Sequence, residues 1–360
     1  MGIRFEKDTR KATNGPLIFF TNIQDEVFRE EINSAFLTGL SFYAYRFPHD
    51  SMMSYGSSES FIEGLGMPGF VIGMFDPAKP YITIPYKGIT KNDSASCNYT
   101  QPFSSTTFND YSREVENIIK AIKAGAGEKV VAARVEIEEE QLDLAEKFYE
   151  LCSRFPDAFI FCFSTPLTGC WIGATPELLI QGKEDSLTTM ALAGTRKIGT
   201  NQPWDDKNKE EQSYVTSHIL DIFRSNGMKA FQQETFTKKT GNIEHICTPI
   251  EVKLNSETEL TTIKLESLLR DLSPTPAVGG TPKNFALEQI KYWEKFDRGC
   301  YGGFCGPYHA TNDFTFSVIL RCASVSERKI CLYAGGGITS GSSIESEWKE
   351  TELKLSNFRN

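Results

Sequence analysis

The chain has no apolar run approaching the 18 residues of a membrane span, so no crossing is expected. Its start, Met1-Gly2-Ile3-Arg4-Phe5-Glu6-Lys7, lacks the apolar core of a secretory signal, and no Ser or Thr stands at the sixth position to support myristoylation. Histidine is scarce: His49, His218, His245 and His309 show neither an HxxxH nor a Cys/His spacing for zinc. The nine cysteines are odd in number, scattered and without a CxxC pair. Cys162, Cys247, Cys322 and Cys331 lie inside apolar runs, where cysteine behaves as a small hydrophobe. That usage fits a reducing cytoplasm better than a disulfide framework. Positive charge is also short, with 38 Lys and Arg against 47 Asp and Glu and a net charge of −9. Without a clustered basic run, a nucleic-acid partner is not expected. Gly335-Gly336-Gly337 is neither a GxGxxG nor a P-loop and no GxSxG is present, so a nucleotide cradle is weakly supported and no serine elbow is marked.

What is present is an ordinary globular composition, 40% hydrophobic and 24% charged over 360 residues, enough for a large core. There is no internal repeat and no low-complexity tract. Residues 1 to about 95 read as short strands with Gly/Pro turns, among them Pro16 to Phe20, Gly69 to Met74 and Tyr81 to Ile84. A Ser/Thr/Asn-rich loop, Asn92 to Thr107, reads as a connection. A helix from Asp110 carries Val115, Ile118, Ile119 and Ile122 on one side and ends at Gly125 and Gly127. Lys129 to Val135 follows as a strand, 139–155 as a helix, and Phe159 to Phe163 as a buried strand. Strand runs are mostly hairpin-spaced, which predicts an α+β fold with antiparallel sheets.

Four positions carry chemistry on the residues alone, each with a plain alternative. Lys129 opens a strand, where a lysine is usually solvated. Glu177, between Pro176 and the apolar Leu178-Leu179-Ile180, either turns to solvent or is buried with a raised pKa, as a general acid requires. Glu211 sits one turn before the apolar face Val215, Ile219, Ile222 and Phe223, although acidic residues suit any first helical turn. The last helix is the most readable element. Ser342 with Glu345 forms a capping-box pattern, and Ile344, Trp348, Thr351 and Leu355 share a core face. Glu347, Glu350 and Lys354 form a stripe beside it, just after the triple glycine Gly335-Gly336-Gly337, which reads as a flexible turn. Those carboxylates are either a solvated edge or ligands for a hard cation.

Six blocks in order resemble the chorismate-utilising enzymes, and within them the isochorismate synthases. They are Lys129-Val130-Val131, Gly173 to Leu179, Leu192 to Arg196, Pro274 to Gly280, Phe296 to Gly306, and Ile319 to Cys322 running on to Thr351. The resemblance covers roughly residues 107 to 357 and implies one large α+β domain over 1–360, with two mostly antiparallel sheets flanked by helices. Residues 1–106 would be a variable scaffold. It implies an isomerase that adds water at C2 of chorismate while the C4 hydroxyl leaves, with menaquinone, siderophore and salicylate synthesis all open as the pathway fed. Lys129 would be the base and Glu177 the acid. Mg²⁺ would sit on Glu211 and Glu350, with Glu347 in the outer shell. Arg321, Gly335 and Lys354 would hold the carboxylates, and Gly194, Thr195, His245 and Thr248 would line the site.

Such residues suit a dianionic substrate, because a guanidinium fork, an ammonium and a divalent cation all match carboxylates. Three positions depart from the family pattern. Gln212 and Ser273 replace histidines, and Asn208 stands where an acid is common. The expected partner is chorismate alone, without an obligatory glutaminase, in a cytoplasmic monomer or weak dimer. Anthranilate, aminodeoxychorismate and salicylate synthases are the competing activities, and a chorismate-binding protein without turnover is a more distant one.

Overall fold

A computed structural model of the chain describes residues 22–86, 99–200, 202–240, 243–255 and 260–359. The expected strand at Pro16 to Phe20, and the first part of the Asn92 to Thr107 loop, lie outside the described residues.

Two antiparallel sheets carry the described strands. In space, the first runs β14 (Gly280–Thr281), β6 (Lys129–Glu138), β18 (Lys329–Ile338), β17 (Cys322–Ser326), β8 (Gly169–Thr175), β7 (Phe159–Thr165), β1 (Ser41–Arg46) and β2 (Ser54–Ser58). The second runs β11 (Ala230–Gln232), β13 (Ile243–Lys253), β10 (Ser186–Lys197), β9 (Leu178–Lys183), β16 (Asp313–Val318), β15 (Phe304–Ala310), β4 (Gly69–Gly73), β5 (Ile82–Pro85) and β3 (Ile62–Glu63). One further strand, β12 (Phe236–Thr240), pairs with β13. The helices are α1 (Asn22–Thr38), α2 (Phe108–Lys123), α3 (Leu144–Arg154), α4 (Asp206–Ser225), α5 (Thr262–Leu272), α6 (Lys283–Trp293) and α7 (Ile344–Arg359). The expected α+β fold with two antiparallel sheets is what forms. Among the described residues, no helix is long and apolar enough to cross a membrane.

The sheets face each other, and helices cover their outer sides. The period-two alternation of a strand explains how one apolar run serves two layers. In β7, Phe159, Phe161 and Phe163 point into the core between the sheets, with Trp171, Phe70 and Ile72. Ile160 and Cys162 point the other way, onto Phe28 and Ile32 of α1, Phe148 and Leu151 of α3, and Leu355 of α7. Each aromatic ring so buried contributes about 1.5–3 kcal/mol. On the far side of the second sheet, Val215, Ile219 and Phe223 of α4 pack with Leu265, Leu268 and Leu269 of α5. The eight described cysteines are buried free thiols.

Three expectations need correction. Residues 22–38 form a helix rather than part of a strand-and-turn region, because Phe28, Ile32 and Ala35, spaced for one helical face, are buried together. The triple glycine is no flexible turn but the buried interior of β18, paired residue for residue with Ala133, Ala132 and Val131. Ser342 does not cap α7 either. Its hydroxyl takes the Thr339 N–H at 3.1 Å and closes the turn before the helix.

Candidate active site

One cavity opens between the sheets, lined by Glu177, Gly194, Thr195, Glu211, His245, Tyr301, Arg321, Tyr333, Gly335 and Lys354 with apolar neighbours such as Leu192 and Val278. Each polar wall is built by a different element.

Lys129 is the first residue of β6 and is fully buried, so its ammonium needs a partner. Its Nζ donates to Glu211 Oε1 at 2.7 Å. Glu211 arrives from the first turns of α4, which Asp205 caps by accepting from the Asn208 N–H. Burial alone would raise Glu211, but Lys129, with Lys354 and Lys207 further off, holds it below the usual carboxylate range. Bare backbone in β18 allows this approach: a Cβ on Gly337 would stand 2.6 Å from Glu211 Oε1 and 2.8 Å from Lys129 Cε.

Glu347 and Glu350 come from α7. Glu347 is buried rather than part of a solvated edge, with Oε1 on Lys207 Nζ at 2.5 Å and no hydrogen-bond partner for Oε2. Burial raises its pKa. A Cβ on Gly336 would meet that Oε2 at 3.1 Å. Glu350 Oε1 accepts from Lys354 Nζ at 2.8 Å, and the same ammonium donates to Gly335 O at 2.7 Å. Lys207 is pulled down by burial, yet Glu347, Glu350 and Glu211 together push it above its ordinary value. Three carboxylates therefore crowd one neighbourhood, each held by its own lysine.

The donor chemistry of that neighbourhood is the kind a hard divalent cation takes. The donors are all oxygens, one buried oxygen is unpartnered, and the side-chain-free Gly336 and Gly337 let two of the carboxylates come close to the strand. With the lysines where they stand, no cluster of three or more metal-ligating side chains is formed among the described residues. A cation would have to take these carboxylates from the lysines.

Glu177 occupies the turn between β8 and β9 and is 3% exposed. Its N–H donates to Thr175 Oγ1 at 3.3 Å and its carbonyl accepts from Val318 N at 3.0 Å. Burial raises its pKa to about 7, and the positive charges of Lys129 and Lys238 keep the rise from being larger. Of the two readings left open at this position, the buried one holds.

Arg321 sits between β16 and β17 at φ +47°, a backbone setting that costs a non-glycine residue energy and is met mainly at functional sites. Burial brings its pKa down to about 10. Its Nη2 donates to His245 Nε2 at 2.5 Å, and its Nη1 has no partner. His245 Nδ1 lies 2.7 Å from Gly194 O. A carbonyl only accepts and a guanidinium only donates, so the proton sits on Nδ1 and the ring is neutral. Burial and Arg321 both hold His245 well below its ordinary pKa. Gly194, at φ +70°, turns over Asn208, whose Oδ1 takes the Thr195 N–H at 3.2 Å. Asn208 thus shapes the Gly194-Thr195 wall.

Eight of the residues expected at the site line this cavity, and Lys129, Glu347 and Glu350 join it through ion pairs and shared charge. Thr248 does not line it. It faces a neighbouring groove, bonded to Gln212 Nε2 at 3.0 Å. Gln212 also donates to Ala191 O at 2.9 Å, and Ser273 gives its carbonyl to Lys283 Nζ at 2.7 Å, so both replaced histidine positions are occupied structurally. Reading the residues missed Tyr301, Tyr333, Lys207 and Lys238. Tyr301 lies within the Phe296 to Gly306 block, and Lys207 stands one helical turn before Glu211, so both carried a signal. Lys238 carried none.

The family model described as "Chorismate binding enzyme" matches residues 85–360. Isochorismate synthase EntC of Escherichia coli (strain K12) is 31% identical over 213 residues, covering 55% of this chain and 53% of that protein. The chloroplastic isochorismate synthase 2 of Arabidopsis thaliana is 33% identical over 269 residues, covering 69% and 46%. The component 1 of anthranilate synthase from Saccharolobus solfataricus is 26% identical over 260 residues, covering 69% and 60%. The chain spans about half the length of the curated relatives it matches. Among solved structures, MenF, the menaquinone-specific isochorismate synthase of Escherichia coli, superposes with a TM-score of 0.73 at 21% identity over 89% of this chain and 88% of that one. DhbC of Bacillus anthracis gives 0.74 at 22% identity over 92% and 98%. At those identities the likeness is one of fold.

Proposed function

The chain belongs to the chorismate-binding enzymes, and on that footing we propose that it is an isochorismate synthase, an isomerase converting chorismate to isochorismate. The observation that carries this reading is a buried carboxyl raised to about 7 within electrostatic reach of a fully buried lysine, Glu177 with Lys129. A group that keeps its proton near neutrality and an amine sealed from bulk water are what paired proton transfers require.

The residues divide the work by chemistry. Chorismate is a dianion. Arg321 presents an unpartnered Nη1 beside the Nη2 now on His245, a two-pronged match to a carboxylate. Lys354 brings the second cation. Gly335 keeps this wall open, since a Cβ there would stand 2.9 Å from Tyr301 Oη. Glu211 and Glu350 would hold Mg²⁺ with Glu347 behind them, and the ion would supply positive charge to the ring carboxylate. Lys129, once its ammonium has given up a proton and become a neutral amine, takes a proton from water as the water oxygen bonds to C2. The ring double bonds shift and the C4–O bond breaks. Glu177 gives its proton to the departing hydroxyl, which leaves as water. One water enters and one leaves, so the net change is isomerisation.

The relatives include an anthranilate synthase component, so amination is the second reading. Product analysis of purified protein with chorismate and Mg²⁺, with and without an ammonium salt, separates the two. Isochorismate in both mixtures supports the proposal; anthranilate or aminodeoxychorismate appearing with ammonium defeats it. The expectations of a cytoplasmic enzyme working without a glutaminase partner belong to the same proposal.

A further inference from the structure

Lys238 lies in β12, directly opposite His245 of β13 in the antiparallel register. Opposed residues share a face of the sheet, so this lysine belongs to the same wall as a cavity residue. It is partly buried yet makes no ion pair among the described residues. Instead its Nζ donates to Pro176 O at 2.7 Å, with Met190 Sδ at 3.7 Å. Pro176 O and the Glu177 N–H belong to one peptide group, and that N–H is already fixed by Thr175 Oγ1 at 3.3 Å. A planar peptide held at both its oxygen and its nitrogen has little freedom left, and its plane sets where the Glu177 side chain starts.

We propose that Lys238 is a positioning residue for the acid: it pins the peptide that carries Glu177 and keeps a positive charge beside its carboxyl. This rests on the reading of Glu177 as the acid. The other groups facing Glu177 are Lys129 from β6, Arg321 between β16 and β17, the Thr275 hydroxyl after α5, Tyr301 and Cys247. Facing Lys238 are Cys247, Glu177, Arg321 and Asp157. Loss of the Lys238 charge alone therefore leaves Lys129 and Arg321 in place and asks what the third cation adds.

The test uses the full chain labelled with ¹³C at glutamate carboxyls, free of substrate and metal. The Glu177 signal is assigned by its loss in Glu177→Gln. Lys238→Met removes donor and charge at similar length, Lys238→Arg keeps both, and Lys238→Gln keeps a donor without charge should the methionine variant fail to fold. Without the cation, the ionised form of Glu177 is less favoured. Its titration midpoint should then rise by at least about half a pH unit in the Met or Gln variant and stay put in the Arg variant. The falling limb of kcat/KM should move upward by the same amount. An identical midpoint in wild type and in the uncharged variants overturns the proposal. Absence of chorismate turnover in the wild type would instead sink the functional reading, and the carboxyl titration would still decide the role of Lys238.

Discussion

Lys129 Nζ and Glu211 Oε1 stand 2.7 Å apart, the lysine fully buried and the glutamate side chain 14% exposed. The group assigned as base and a group assigned to the metal thus hold each other. The pair explains why β18 has no side chain at Gly337, and it ties water activation to the state of the carboxylates.

The first prediction concerns the cation. A site whose three carboxylates are each matched by a lysine stays paired until a stronger cation enters. Chelation should therefore abolish turnover and Mg²⁺ restore it, while urea unfolding without metal stays cooperative. Undiminished turnover in excess chelator would remove Glu211 and Glu350 from a metal role.

Removing one partner strands the other. Glu211→Gln should cost about 3 kcal/mol in urea unfolding, the lower part of the range for breaking a buried pair. Gly337→Ala drives a Cβ against both partners and should lower kcat at least ~10-fold with the fold kept. Wild-type kcat in Gly337→Ala would show that the pair has more room than its distances imply.

Glu177 offers a pH test with a definite sign. Its pKa is raised from 4.5 to about 7 in the folded protein, so the folded state binds the proton more tightly than the unfolded chain. Its favourable contribution is complete below pH 4.5 and is lost as the pH rises through 7. Glu177→Gln should then be more stable than wild type at pH 8, by roughly 1–3 kcal/mol, and no more stable at pH 4. Its kcat should fall at least ~10²-fold, the low end for a positioned acid. The wild-type kcat/KM should fall above about pH 7. A stability difference that does not change between pH 4 and pH 8 would place the proton elsewhere.

Arg321→Lys keeps one charge and loses the fork. A loss of about 1.5–3 kcal/mol, the range for charged hydrogen bonds, should show mainly as a raised KM for chorismate. An unchanged KM would move the carboxylate contact to another residue.

Much of this site was legible because short motifs keep their spacing when they stay within one turn or strand. Glu177 beside Pro176, Arg321 ahead of β17, and Glu350 with Lys354 one turn apart are local patterns. What escaped was tertiary. Glu347 looks like half of an acidic edge until α7 packs it beneath β18. Thr248 resembles a lining residue until Gln212 turns it toward the neighbouring groove. Lys238 acquires meaning only when β12 pairs with β13 and brings it to Pro176. At the fold level, hairpin spacing announced antiparallel sheets, whereas α1 was lost among Gly/Pro turns because its apolar face rests on a few positions such as Phe28, Ile32 and Ala35.

In the proposed reaction Lys129 and Glu177 add water at C2 of chorismate as the C4 hydroxyl leaves. Turnover with Mg²⁺ in ¹⁸O-labelled water, followed by mass analysis of the product, tests it most directly. The wild type should give isochorismate carrying one ¹⁸O, located on the C2 hydroxyl, and Lys129→Gln should give no such product. Unlabelled isochorismate, or undiminished labelling by Lys129→Gln, would contradict it.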